Sequence, residues 1–525
     1  MTQRNYAAVY DFELMPYALG DVLTWNIQTA IRCEQLGRER VDVHICMDPR
    51  HPSSIYQSDM INADNCGLFF SELFGAFGTH PRLGTIHIDL RREDTLDRLR
   101  ACAQGDDANA EVLADYEHAL ANRHDNDILV AYFTKYIYYH EGINAFAQEH
   151  RRIPLLQPSM GCEPDITGLL TRRLAGKRTV AIHVRMRRLD AGYHGEHTWA
   201  RDSDFVEWYG FLAEAGKRYP DVEFVVMGRQ QEKPLELLAL PNVMSLRTFG
   251  LGLGHELTFM LRCDLFIGTS SGFAAMANFS ETPYFITKMG KESCNAYRIP
   301  FGAERLPFAT ERQILVYEPE SQDLLLRLLE RGLKDVPPRT GAGGPTIDPA
   351  IDVRSWEIER LRWLHKGATT SRFHTDPVYR DKETAFLIWP RIKQARRALS
   401  AGWRIGPALS VLERIERHFP ALCARFPEYL RTRALFAVER NEWPTVHACS
   451  EKLKRLAHEG HRRERVFRLY RRSLGLGLPL VRGTRFLWRH RRRLPSKLKQ
   501  IAKRVLPLRI RVLIRRVLFI PHKLA

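Results

Sequence analysis

Two separate series of alternating strand and helix signals constrain this chain most. In the first, Asn5–Tyr10 (NYAAVY) reads as a strand, and a loop follows that ends in Ala18-Leu19-Gly20-Asp21. Val22–Leu36 then reads as a helix with Trp25, Ile27 and Ile31 among its apolar positions, and Val41–Cys46 (VDVHIC) as the next strand. Strand, glycine-bearing turn, helix and strand make a βαβ unit, which implies a parallel sheet with helices on its faces. Thr85–Asp89 and Asp127–Phe133 are expected as further strands, Ala108–Asn122 and Tyr138–Glu149 as helices. A second series starts at Arg178. Thr179–Val184 (TVAIHV) reads as a buried strand, and the capping-box spacing of Asp204 and Glu207 places a helix over Phe205–Arg218. Val222–Met227 is expected as a strand closed by Gly228 and Arg229, and Val243–Leu246 as a short strand. Glu256–Cys263 should be a helix, Asp264–Ile267 a strand, Gly268–Gly272 a turn, Phe273–Phe279 a helix and Pro283–Ile286 a strand. This is a second doubly wound half.

Residues 336–350 are rich in Pro and Gly and read as a linker. Beyond them, 351–475 reads as helical. Ala408, Leu409, Val411, Leu412 and Ile415 follow helical spacing, as do Val446, Cys449, Leu453 and Leu456, in a pattern similar to a tetratricopeptide array. The expected divisions are therefore 1–170, 171–335, the linker 336–350, a helical region 351–475 and a tail 476–525.

Charge sharpens this division. The chain of 525 residues has 79 Lys+Arg against 61 Asp+Glu, a net charge of +18. Residues 461–525 hold 21 Lys+Arg and one acidic residue, Glu464, hence +20, and residues 1–460 carry −2. The basicity belongs to the tail, so it does not mark the body as a nucleic-acid binder. In the tail, Leu498, Ile501, Ala502, Val505 and Leu506 form an apolar stripe among Lys497, Lys499, Lys503 and Arg504. A basic amphipathic helix of this kind fits an anionic membrane surface rather than nucleic acid. No run approaches the ~20 apolar residues of a membrane span, and no apolar leader stands at the N-terminus. The nine cysteines are scattered without C-x-x-C, which fits reduced thiols in the cytoplasm.

Three clusters carry candidate chemistry. Asp21, with Gly20, lies at the start of a helix after the first strand, where a carboxylate can serve as general base; the same position suits a helix N-cap. His183 and Arg185 alternate onto one face at the end of a strand, with Arg187 close behind, and the Arg185 fork suits a diphosphate. Ser270, Ser271 and Gly272 form a turn into a helix N-terminus, whose N–H groups suit phosphate. These residues also spell G-x-S-x-G with Gly268, the turn of serine hydrolases, with Asp323 and His365 downstream. Asp202-Ser-Asp204 is a D-x-D at the start of a helix and reads as capping rather than metal binding. His194 and His197 lack further ligands for zinc, so no metal is expected.

Together these motifs resemble the GT-B glycosyltransferases, which have two Rossmann-like halves facing a cleft. Leu19-Gly20-Asp21-Val22-Leu23 and the run Asp264–Gly272, followed by a small-residue helix and Thr282-Pro283, are similar to bacterial heptosyltransferases. Ala181–Arg185 is similar to the His-x-Arg motif of GDP-fucose-using fucosyltransferases. The resemblance spans about residues 5–335. It departs at Thr269-Ser270, where the heptosyltransferase turn carries Asp, and in the extra stretch Asp11–Tyr17.

The resemblance implies an α/β fold of two Rossmann-like domains, an acceptor half and a nucleotide-sugar half. It further implies transfer from a nucleoside diphosphate sugar to a glycan or lipid-linked acceptor, with inversion and without metal or cofactor. Asp21 would be the base; Arg185, Ser270, Ser271 and Gly272 would bind the donor diphosphate. Gly20, His183, Arg187, Gly228 and Arg229 would line the cleft. The enzyme would work on the inner face of the cell membrane. A serine hydrolase built on Ser270 and a non-catalytic membrane-associated scaffold are the competing expectations.

Overall fold

The computed structural model describes residues 5–54, 57–58, 60–137, 140–159, 161–186, 201–229, 233–339, 377–401 and 405–459. The chain divides into two compact units, Met1–Tyr379 and Arg380–Ala525.

The first unit holds two parallel sheets. One has three strands in the order β1 (Tyr6–Asp11), β2 (Val41–Cys46), β3 (Leu83–Asp89). The other has six, β4 (Arg178–His183), β5 (Val222–Val226), β6 (Val243–Met244), β7 (Leu265–Thr269), β8 (Tyr284–Thr287) and β9 (Gln313–Leu315), in the order β6-β5-β4-β7-β8-β9. Every residue of β1, β7 and β8 is buried. A parallel strand is covered on both faces by crossover helices, so its sequence reads as a continuous apolar run rather than an alternation. This is an α/β arrangement of two halves, each built on a parallel sheet.

Thirteen helices occur among the described residues of this unit. The first half contains α1 (Leu19–Gln35), α2 (Cys66–Leu73), α3 (Arg92–Ala103), α4 (Asp107–Ala121), α5 (Asn126–Tyr136), α6 (Glu141–His150) and α7 (Glu163–Gly168). The second contains α8 (Phe205–Arg218), α9 (Leu235–Leu238), α10 (Leu253–Met260), α11 (Gly272–Asn278), α12 (Lys291–Tyr297) and α13 (Gln322–Leu333).

One expected strand is a helix. Asp127–Phe133 lies inside α5, where the Asp125 carboxylate accepts from the N–H groups of Asp127 and Ile128. That N-cap decides for a helix where the apolar run DILVAYF left both periods open. The first sheet consequently ends at β1, and α4 covers its free edge. The Ala7 N–H donates to Asn109 Oδ1 (2.9 Å), and Asn109 Nδ2 donates to the Asn5 carbonyl (3.1 Å). One side-chain amide thus supplies the donor and acceptor that a neighbouring strand would have offered.

Asp204 starts α8 but makes no side-chain cap, so the capping box expected from its spacing with Glu207 does not form. Glu207 Oε2 instead accepts from the Gln322 N–H (2.8 Å) at the start of α13.

The two halves share one apolar core and meet at glycines. A Cβ at Gly75 would lie 2.5 Å from the Gly254 nitrogen. Such an approach admits only hydrogen at that position. Further cross-links are Leu156 N–H to the Phe279 carbonyl (2.9 Å) and Asn144 Nδ2 to the Tyr297 carbonyl (2.9 Å).

In the second unit, α14 (Pro377–Ala401) is followed by α15 (Ile405–His418), α16 (Pro420–Arg425), α17 (Pro427–Glu439) and α18 (Trp443–Glu459). Leu409, Leu412 and Ile415 of α15 are buried, as are Val446, Cys449 and Leu453 of α18. The amphipathic tail, with residues 476–525, lies outside the described residues. Among the described residues no helix is long and apolar enough to cross a membrane.

Candidate functional site

The strand order of the second sheet reverses between β4 and β7. In open α/β sheets ligands bind outside the carboxyl ends of the strands at such a switch point. β4 ends at His183 and runs on to Arg185; β7 ends at Thr269 and turns through Ser270 and Ser271 into α11. His183 and Gly268 are partners in the β4–β7 register, so the two motifs stand side by side.

The N-terminus of α1 faces them. A Cβ at Gly272 would lie 2.8 Å from Leu19 Cβ and 3.0 Å from the Gly20 nitrogen. The glycines therefore let the first turns of α1 and α11 touch. A cavity of about 550 Å³ opens at this contact. Its walls include Gly20, Asp21, His183, Arg185, Gly228, Arg229, Ser270, Ser271 and Gly272, so these sequence-selected residues come together. Arg187, His194, His197 and His365 lie outside the described residues.

Asp21 stands in the first turn of α1, where Ala18 is the N-cap. It is thus not a cap, and no described residue hydrogen-bonds its carboxylate. Burial pushes this carboxyl up to about 7, against a smaller opposing pull from the Arg201 guanidinium. A group held near neutrality can take a proton and give it up again.

The cations differ in freedom. Arg185 is buried, and its Nη1 donates to Asp202 Oδ1 (2.7 Å), itself buried. Ser203 Oγ accepts from the Arg185 N–H (3.0 Å), and the Ser203 N–H returns to the Arg185 carbonyl (2.8 Å). In the D-x-D, Asp202 holds Arg185, and Asp204 stands at the N-cap of α8 without a side-chain cap, its N–H donating to Glu320 Oε2 (2.9 Å). Arg201, one residue upstream, lines the cavity exposed and has no hydrogen-bond or ion-pair partner among the described residues. The sequence put the loop Arg187–Arg201 near the crevice but gave Arg201 no role of its own; its signal was its place beside the D-x-D.

The serine turn is also divided in its tasks. The Ser270 N–H donates to the Thr287 carbonyl (3.2 Å), so it does not face the cleft as a phosphate donor. Among the described residues nothing accepts from the N–H groups of Ser271 and Gly272, the orphan donors of a helix start. Ser270 Oγ pairs with Ser293 Oγ (3.0 Å) at the start of α12, whereas Ser271 Oγ lies 2.8 Å from His183 Nδ1. The G-x-S-x-G serine therefore has no histidine partner among the described residues, and Asp323 sits in the first turn of α13. The geometry of a serine-hydrolase elbow is not formed there.

A second omission lies under the cleft. Glu256 is fully buried on α10. Its carboxylate accepts from the Gly228 N–H (3.2 Å), Lys233 Nζ (3.1 Å) and Arg247 Nη2 (3.1 Å). It fixes the loops after β5 and β6, and Arg247 reaches on to Glu72 of α2 (3.2 Å). Arg229 lies over the Phe69 ring of α2, 5.3 Å from its centre. The sequence signal was one acid in the apolar run LGHELTFM.

Among the described residues no group of three or more His, Cys, Asp or Glu side chains could hold a metal ion.

No protein-family model and no curated protein matches this chain. Among solved structures it is similar to the ADP-heptose lps heptosyltransferase II of E. coli, at 12% identity and a TM-score of 0.38, over 63% of this chain and 99% of that one. It is also similar to a putative UDP-N-acetylglucosamine 2-epimerase from Listeria monocytogenes, at 8% identity and a TM-score of 0.30, over 64% of this chain and 89% of that one.

Proposed function

We propose that this chain is an inverting glycosyltransferase that moves a sugar from a nucleoside diphosphate sugar to a hydroxyl of a cell-surface glycan or lipid-linked acceptor. One observation carries the reading: an unpaired carboxylate poised near neutrality faces, across a glycine contact, an anion-favouring turn at the switch point of a parallel sheet.

The donor diphosphate lies against the first turn of α11, where the N–H groups of Ser271 and Gly272 and the helix dipole favour negative charge. Arg201 supplies an exposed guanidinium with no ion-pair partner among the described residues, and Arg185 stands beside it, held by Asp202. As the bond from the anomeric carbon to the diphosphate oxygen breaks, charge gathers on that oxygen and meets these preorganised donors. Such preorganisation is often the largest catalytic contribution. The donors do the work that a divalent cation does elsewhere, so the reaction runs without metal. Asp21 takes the proton of the acceptor hydroxyl as its oxygen bonds to the anomeric carbon. One base and one displacement give inversion, through an oxocarbenium-like transition state.

The basic tail 476–525 would hold the enzyme on the anionic inner face of the cell membrane, beside a lipid-linked acceptor. Each cation near such a surface contributes ~1 kcal/mol.

A thermal-shift screen against ADP-, GDP-, UDP- and CMP-sugars tests the donor class. A diphosphate sugar should stabilise the wild-type chain, and Arg185→Ala should weaken that effect. Full transferase activity in both Asp21→Asn and Arg185→Ala would overturn the assignment. Liposome co-sedimentation of the full chain against a 1–475 truncation tests the tail, and equal partitioning would exclude its membrane role.

A further inference from the structure

The cleft places its base and its anion site in the same positive field. α1 and α11 touch at Gly20 and Gly272, and the first turn of α12 lies against that of α11 through the Ser293–Ser270 contact. Asp21 therefore shares one cavity wall with the Ser270–Gly272 turn, the first turn of α12 and the Arg201 guanidinium. A diphosphate bound at α11 draws on the same donors and the same guanidinium.

The other charged groups around Asp21 are already committed. Arg185 is paired with Asp202, Arg247 with Glu256 and Glu72, and Arg229 lies over Phe69. His183 is held by Ser271. Burial keeps His140, at the cap of α6, down at about 3 and hence neutral. Burial also pushes Tyr17 and Tyr297 above the ordinary phenol value, so both remain neutral. Glu292, on α12, is exposed at the cavity edge. Asp21 itself changes charge near neutral pH.

We infer that ionised Asp21 and a bound diphosphate compete for this one positive field, so that loss of the Asp21 proton after transfer expels the nucleoside diphosphate, with Arg201 as the positioning residue that couples the two. The inference rests on the transferase reading above. Transfer leaves Asp21 carrying the acceptor's proton, hence neutral, while the nucleoside diphosphate is held. Release of that proton to solvent restores a negative charge beside the diphosphate, and the two anions repel. By linkage, the diphosphate must raise the proton affinity of Asp21 by the same free energy that ionised Asp21 subtracts from diphosphate binding. The chemistry step and product release would then be ordered by one proton.

The test is the affinity of the full chain for ADP, GDP and UDP, measured by calorimetry at pH 6 and pH 8 in wild type and Asp21→Asn. The ligand's own phosphate titrates identically in both, so the difference isolates Asp21. Near-equal affinities are expected at pH 6. At pH 8 Asp21→Asn should bind more tightly than wild type, by up to about tenfold, the ceiling that linkage sets one pH unit above the Asp21 value. Arg201→Gln, at an exposed position, should bind more weakly throughout, and its loss of affinity with pH should set in at higher pH than in wild type, because the guanidinium that favours ionised Asp21 is gone. Overlaying pH dependences for wild type and Asp21→Asn would overturn the inference while leaving the transferase reading intact. An Arg201→Gln curve identical to wild type would remove Arg201 from it. If none of the three nucleotides binds at pH 6, the transferase reading itself falls, and this inference with it.

Discussion

At the scale of single residues, the site is a division between committed and uncommitted charge. Arg185 carries the expected motif, yet its guanidinium is engaged by buried Asp202, while Arg201 is exposed and has no ion-pair partner among the described residues. Asp21→Asn is isosteric and removes only the carboxylate proposed as the base. Turnover should fall by ~10²–10⁴ while donor binding persists, the usual loss for a positioned acid or base; parallel measurement of rate and nucleotide affinity checks this. Glu256→Ala should be costly in another way. It strands buried Lys233, and breaking a buried pair costs about 3–5 kcal/mol. Urea unfolding of this variant should show a lower midpoint, with weakened nucleotide binding because the Gly228 loop loses its anchor.

At the scale of elements, the active geometry depends on how closely helix ends can approach. The α1–α11 contact has hydrogen where every other residue has a Cβ. Gly272→Ala would place that carbon 2.8 Å from Leu19 Cβ. Relieving the overlap requires the helices to part, at a cost of about 1–3 kcal/mol. The variant should lose thermal stability and, with Asp21 displaced from the donor turn, lose turnover more than nucleotide affinity. Measuring both on the same preparation checks the prediction. The element that defied its sequence pattern is α5. DILVAYF fits a buried strand as well as a helix, and the cap from Asp125 lies outside the apolar run. Short apolar segments are ambiguous in period, and only neighbouring backbone groups resolve them.

At the scale of the whole molecule, burial of neutral histidines ties the fold to pH. His44, His80 and His140 are held down by burial at about 4, about 3 and about 3. Unfolding restores ordinary values near 6.5, so below that pH the unfolded chain binds more protons at these sites. Their contribution is therefore fully present above about pH 6.5 and declines as the pH falls toward 4 and 3. Asp21, raised to about 7, and Glu320, also raised by burial, act in the opposite direction. The two sets therefore oppose each other between pH 7.5 and pH 5, and at lower pH Asp48, which Arg50 holds well below the usual carboxylate range, adds a further loss. Replacing His80 with Gln isolates one side of this balance, because an amide of similar size does not titrate. From pH 7.5 to pH 5 the urea midpoint of this variant should shift upward relative to that of wild type, and urea unfolding of both at the two pH values checks it.

The sequence by itself determined the parallel α/β architecture, because covered parallel strands must be apolar throughout and a βαβ unit leaves little topological choice. It also singled out the ends of β4 and β7 as a candidate site, and His183, Arg185 and the Ser270–Gly272 turn do line one cavity. It could not say which of these groups are free. That depends on partners far apart in the chain: Asp202 on Arg185, Thr287 on the Ser270 N–H, Glu256 beneath Gly228. Nor could it place Asp21 near neutrality, since that follows from burial on a wall shared by both halves. Local pattern fixes what a segment becomes; only the tertiary structure decides which of its polar groups remain uncommitted, because hydrogen bonds and burial are properties of the surroundings and not of the segment.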